Sequence, residues 1–212
     1  MRSIILIAAP AAGKGTISKY IEENYNYKHI STGDLLRKEI KNKTEIGLKI
    51  KSLMDKGSLV GDEIIKDIFE NELRKSRKNI ILDGFPRTIK QAKMLDEIAR
   101  EYDNVSIDKV IYIDIDKQIA IERIENRLIC DNCGSSFNKI LINNDLCTKC
   151  GGNLISRNDD NKETFLDRYE TFLKETKPLI NYYKDKLITI HNNSSLEEVY
   201  KNVDNILKGD ES

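Results

Sequence analysis

Five short apolar runs, rich in β-branched residues, punctuate an otherwise charged chain: SIILIA (3–8), KHIS (28–31), NIILDG (79–84), VIYIDI (110–115) and LITIHN (187–192). The stretches between them place apolar residues at helical spacing, as in TIKQAKMLDEIAREY (88–102). Continuous apolar strands alternating with amphipathic helices predict an α/β fold with a five-stranded parallel sheet covered on both faces. Two intervals are too long for a simple crossover. Residues 32–60 read as two short helices ending at DKGSLVGDE, and residues 128–160 hold four cysteines, glycines and asparagines with little periodicity. Both read as insertions mounted on one sheet.

The 212 residues suit one α/β domain carrying insertions, or two small domains, and 35 basic side chains balance 35 acidic ones. That balance provides no global field for nucleic acid or an anionic membrane, so neither partner is expected. No apolar run reaches the roughly 20 residues of a membrane helix. The opening MRSIILIAAPAAG is better explained as a strand entering a loop than as a leader, so a cytoplasmic protein is expected.

The first strand runs into APAAGKGT, with a helix expected from about Lys14. Against the phosphate-loop pattern G-x-x-x-x-G-K-[ST], Ala8 stands at the first glycine and Gly15 follows the lysine. A phosphate is held by successive backbone N–H groups at a helix N-terminus, and alanine keeps its N–H. Ala8 and Ala11 lose ready access to positive φ, a strain of about 1–2 kcal/mol wherever that conformation is required. Lys14 can follow charge on a transferring phosphoryl group, and Thr16 can offer its hydroxyl to Mg²⁺. The competing reading is a tight strand-to-helix turn with a surface lysine.

Taken singly, an arginine on a helix is usually a solvated face. Here arginines recur inside STGDLLR (31–37), DGFPRT (83–88), DKQIAIERIENR (116–127) and SRNDDNKETFLDRY (156–169). With these motifs the chain resembles the adenylate kinase family, in its long form with a zinc-bearing lid, from the first strand to the C-terminal helix. The usual loop of that family reads G-x-P-G-x-G-K-G-T, from which only Ala8 and Ala11 depart. The resemblance implies a P-loop core (1–31, 61–127 and 161–212), an AMP-binding insertion (32–60) and a lid (128–160). It implies that Lys14, Arg87, Arg127, Arg157, Arg168 and Asp83 serve catalysis, Asp83 by holding Mg²⁺ through waters. ATP would meet Ala11, Ala12, Gly13, Lys14, Gly15, Thr16, Arg123, Ser136, Phe137 and Ser194. AMP would meet Thr32, Arg37, Ser58, Leu59, Val60, Gly84, Phe85, Pro86, Arg87 and Gln91, with Arg157 and Arg168. No general base is expected, and His29 and His191 are read as isolated structural residues at strand ends.

The cysteines form C-x₂-C-x₁₃-C-x₂-C: Cys130 and Cys133, then Cys147 and Cys150. Gly134 follows the first pair and Gly151–Gly152 the second, which suits two knuckles presenting four thiolates to a closed, structural zinc. Lids of the resembled family carry the same pairs; two disulfides are the competing reading. The expected reaction is ATP + AMP ⇌ 2 ADP with Mg²⁺, by a monomer. Two alternatives stay open: another donor or acceptor nucleotide, and a nucleotide-binding protein weakened by its two alanines.

Overall fold

The computed structural model describes residues 2–56, 58–76, 78–101, 106–157, 160–193 and 195–208. A parallel sheet is built from β1 (Arg2–Ala8), β2 (Tyr27–Ser31), β3 (Asn79–Asp83), β4 (Ser106–Asp114) and β8 (Leu187–His191), in the order β2-β3-β1-β4-β8. Ile4, Ile5, Leu6 and Ile7 in the central strand are 0–3 % exposed. A strand covered on both faces is apolar on both, which is why IILIA (4–8) shows no alternation.

Helices α1 (Lys14–Asn24), α4 (Asp62–Lys75), α5 (Ile89–Glu101), α6 (Lys117–Glu125), α7 (Lys162–Thr171), α8 (Leu179–Tyr182) and α9 (Leu196–Lys208) complete this body, with a π-helical turn at Phe172–Thr176 after α7. Burial follows helical spacing, as at Val199, Val203 and Leu207 of α9. β4 begins at Ser106, ahead of the apolar run that marked it: Ser106, Ile107 and Lys109 already pair with Arg2, Ser3 and Ile4 of β1, although Asp108 and Lys109 interrupt the apolar pattern.

The interval 32–60 forms α2 (Thr32–Lys41) and α3 (Glu45–Asp55). Thr44 caps α3 by accepting from the Gly47 N–H at 3.0 Å. A Cβ on Gly47 would fall 2.2 Å from the Glu39 carbonyl oxygen, so only glycine lets the helices cross this closely. The cysteine interval forms a three-stranded antiparallel sheet of β5 (Arg127–Cys130), β6 (Ser136–Asn138) and β7 (Leu154–Ile155), in the order β6-β5-β7.

Chain order and spatial order diverge at β1: β3 lies on one side of it and β4 on the other. Open α/β sheets bind ligands beyond the carboxyl ends of strands at such a reversal. The loop after β1, Asp83 at the end of β3 and Asp114 at the end of β4 all lie there.

Candidate active site

The loop between β1 and α1 is a narrow turn in which the Ala12 N–H donates to the Ala9 carbonyl at 3.3 Å. Ala11 has φ 60° and Gly13 φ 88°. Of the two alanines at family glycine positions, Ala11 therefore carries the left-handed strain, while Ala8 sits in extended strand. Opposite stability effects follow. Ala11→Gly is expected to stabilise by about 0.5–1 kcal/mol, the relieved strain less the entropy glycine adds to the unfolded chain. Ala8→Gly is expected to destabilise by about 0.5–1 kcal/mol, because glycine weakens a strand interior. Urea midpoints of the two variants measure this.

Lys14 opens α1 and its ammonium donates back to the Ala8 carbonyl at 3.3 Å. Burial lowers its pKa to about 8; Asp83 works against that, and Arg87, Arg168 and Arg127 reinforce it. Arg87 is lowered to about 10 by burial and then by Arg168, with Asp83 opposing and Arg37 adding to the repulsion. Its Nε donates to the Gly84 carbonyl at 3.0 Å. Lys14, Arg87 and Arg168 repel one another while Asp83 opposes that repulsion, an arrangement suited to a polyphosphate.

Asp83 is the principal acid in this crowd. Burial alone would raise its pKa, but a hydrogen bond from His29 and the charges of Lys14, His29 and Arg87 hold it below the usual carboxylate range. His29 Nε2 lies 3.2 Å from Asp83 Oδ2. The reading of His29 as isolated at a strand end is thus corrected: it is the middle residue of β2 and partners the acid on β3. His191 does end β8, with Nδ1 3.2 Å from an Asp114 carboxylate oxygen, so it too has a partner. Ser31 caps α2 by accepting from the Asp34 N–H, while the Thr32 hydroxyl donates to the Asp83 carbonyl at 3.3 Å.

A cleft opens between α2, α3 and the β3–α5 turn. Its lining brings together Thr32, Arg37, Ser58, Leu59, Val60, Gly84, Arg87, Gln91 and Arg168 from widely separated motifs. Gly33, Leu36, Met54 and Ile65 also line it and were missed; their apolar spacing on helices gave only a core signal. Gly84, at φ 84°, admits no side chain, because a Cβ would lie 2.6 Å from the Thr32 hydroxyl. Gln91 is buried and fixed by two bonds: its Oε1 accepts the Arg87 N–H at 2.7 Å and its Nε2 donates to Asp62 at 2.9 Å. Phe85 instead turns into the core against Phe69, with ring centroids 4.8 Å apart, and Pro86 is buried beside it.

The remaining arginines have protein partners. Arg37 donates to Asp34 at 2.5 Å, and Arg157 stands 3.7 Å from the same carboxylate. Burial lowers Arg157 to about 10. Arg127 grips Asp160 with Nε and Nη2. Arg123 donates to the Asn192 carbonyl at 3.1 Å. In the small sheet Ser136 is exposed and Phe137 half-buried, whereas Ser194 lies outside the described residues.

The sulfurs of Cys130, Cys133, Cys147 and Cys150 all lie within 4.8 Å of one another, and none forms a disulfide. Tetrahedral Zn–S bonds of about 2.3 Å would set sulfurs about 3.8 Å apart; here two pairs stand at 3.4 and 3.7 Å. Gly134 and Gly151 take φ 69° and 73°, each at the turn after a pair. A Cβ on Gly152 would fall 2.9 Å from Cys130 Sγ. Four convergent thiols in two tight knuckles fit a metal.

A family model described as adenylate kinase matches residues 6–188. The chain belongs to the adenylate kinase family. It is 43% identical to an adenylate kinase of Clostridium tetani, over 97% of this chain and 98% of that protein. An adenylate kinase of Alkaliphilus oremlandii is 45% identical, over 94% and 95% respectively, and one of Acetivibrio thermocellus 44%, over 97% and 98%. Lys14 of the loop lies close enough to Asp83 and to Arg87 of the cleft to feel both charges. Among the described residues no helix is long and apolar enough to cross a membrane.

Proposed function

We propose that this chain transfers a phosphoryl group reversibly from ATP to AMP, giving two ADP with Mg²⁺, and that its four cysteines hold one structural zinc. The observation that carries the reading is the crowding of Lys14 by Arg87, Arg168 and Arg127 around Asp83. Such repulsion is offset when phosphates enter, and phosphoryl transfer leaves a protein little to do beyond positioning and charge stabilisation.

In this reading the core comprises 1–31, 61–127 and 161–212, the acceptor insertion 32–60 and the lid 128–160. The loop amides from Ala11 to Thr16 cradle the donor phosphates, with Arg123, Ser136, Phe137 and Ser194 toward the donor nucleoside. AMP takes the cleft, its phosphate on Arg37, Arg87, Arg157 and Arg168 and its base near Ser58, Leu59, Val60 and Gln91. Asp34 pairs with Arg37 and Arg157, and Asp160 with Arg127, so a phosphate has to compete with these carboxylates. The Thr16 hydroxyl and the Asp83 carboxylate are the hard oxygen donors that Mg²⁺ prefers, Asp83 through water. When bound with ATP, Mg²⁺ supplies neutralisation of phosphate charge. Closure of both insertions excludes water, which otherwise would compete as acceptor. The enzyme acts as a monomer in the cytoplasm.

A coupled assay across AMP, GMP, CMP and UMP tests the acceptor. AMP is expected to exceed the others at least about tenfold in kcat/KM. Equal or better use of another monophosphate would replace AMP in this reading.

The lid makes its own prediction. Zinc of about one equivalent per chain is expected by elemental analysis, and Cys147→Ser should lose it. Chelation should loosen residues 128–160 first, since this small sheet buries few apolar side chains, while the parallel sheet persists by circular dichroism. Two disulfides without metal, in protein prepared under reducing conditions, would contradict it.

A further inference from the structure

Asn192 follows the last residue of β8 and is only 4 % exposed, so protein has to satisfy its side-chain amide. Its Nδ2 donates to the Ala12 carbonyl at 2.8 Å. Its backbone N–H donates to the Asp114 carbonyl at 2.8 Å. Its own carbonyl accepts from Arg123 Nη2 at 3.1 Å, and its Oδ1 lies 3.5 Å from the same nitrogen. A Cβ on Gly13 would fall 2.7 Å from Asn192 Nδ2. One residue therefore touches the back of the phosphate loop, the carboxyl end of β4 and a guanidinium of α6.

The peptide geometry gives this contact a consequence. In a trans peptide the N–H of a residue points opposite to the preceding carbonyl. Pinning the Ala12 carbonyl on Asn192 therefore aims the Gly13 N–H away from Asn192. Ala11, strained at φ 60°, gives this loop more reason to relax than one built with glycine there. We propose that Asn192 is a positioning residue that holds the phosphate loop and Arg123 as one unit, so that donor-nucleotide affinity depends on a side chain outside the family motifs. The inference rests on the reading of the loop and Arg123 as donor-side groups.

Calorimetric titration of the full chain with ATP, and separately with AMP, tests it in wild type, Asn192→Ala and Asn192→Asp. The aspartate keeps size and the acceptor for Arg123 but, ionised, cannot donate to Ala12. The ATP Kd is expected to weaken at least about tenfold in both variants, with the AMP Kd within about twofold. Should Asn192→Ala fail to fold by circular dichroism, Asn192→Asp carries the test. An ATP Kd within twofold of wild type in a folded variant, or equal weakening for ATP and AMP, would overturn the proposal. Wild-type turnover is measured separately: ATP binding without ADP formation overturns the functional reading and not this one, whereas absence of ATP binding overturns both.

Discussion

Lys14→Met is expected to lower kcat by at least about a hundredfold while the fold is retained, the scale of losing one preorganised charge at a developing anion. Methionine keeps most of the stem's volume and removes the charge alone. The expectation follows from the position of Lys14 at the start of α1, among cations that leave it little reason to be there except an anion. A pH signature accompanies it. With its pKa lowered to about 8 in the ligand-free protein, the ammonium is protonated below that pH and increasingly neutral above it. A bound phosphate raises the pKa again, so binding takes up a proton above pH 8 and ATP affinity should fall as pH rises through that value. Lys14→Met should lack this fall. Titrations of both proteins between about pH 7 and 9.5 measure it; a lysine that merely packs would give the same profile with and without its charge.

Arg87→Ala is expected to lower kcat by about a hundredfold or more, and to leave thermal stability equal or higher. The two halves have one cause. Arg87 is half-buried beside Arg168 and Arg37, and that repulsion opposes folding. Deleting the guanidinium removes a cost in the absence of phosphates and a binding fork in their presence. Arg87→Lys should recover only part of the rate, because a point charge cannot grip two oxygens at once. Steady-state kinetics and a thermal melt on the same preparations check this; a large fall in Tm with kcat preserved would make Arg87 a structural residue.

Much of this was legible in the chain because the signals are local. The central strand is buried on both faces and so reads as an unbroken apolar run; the cysteine pairs each close a tight turn and so announce themselves by spacing. Other features depend on contacts that sequence does not display. Nothing near Ala11 says that this alanine, rather than Ala8, adopts positive φ; that follows from how the loop meets α1. His29 looks isolated because Asp83 lies on the adjacent strand and joins it only through sheet register. Asn192 is a single polar residue after a strand, and its importance comes from the Ala12 carbonyl at the other end of the chain. Leu36, Met54 and Ile65 carry the same apolar signal whether they face a core or a ligand cleft. The strands of the small sheet are too short, two to four residues, for alternation to register.

The central claim is transfer between two nucleotides at one junction, and phosphorus NMR of the full chain with ATP, AMP and Mg²⁺ tests it most directly. ADP should accumulate at twice the rate at which ATP disappears, AMP should fall in step, and inorganic phosphate should stay at baseline, both there and in an ATP-only control. Absence of ADP, or release of phosphate at the rate of ATP loss whether or not AMP is present, would contradict the account.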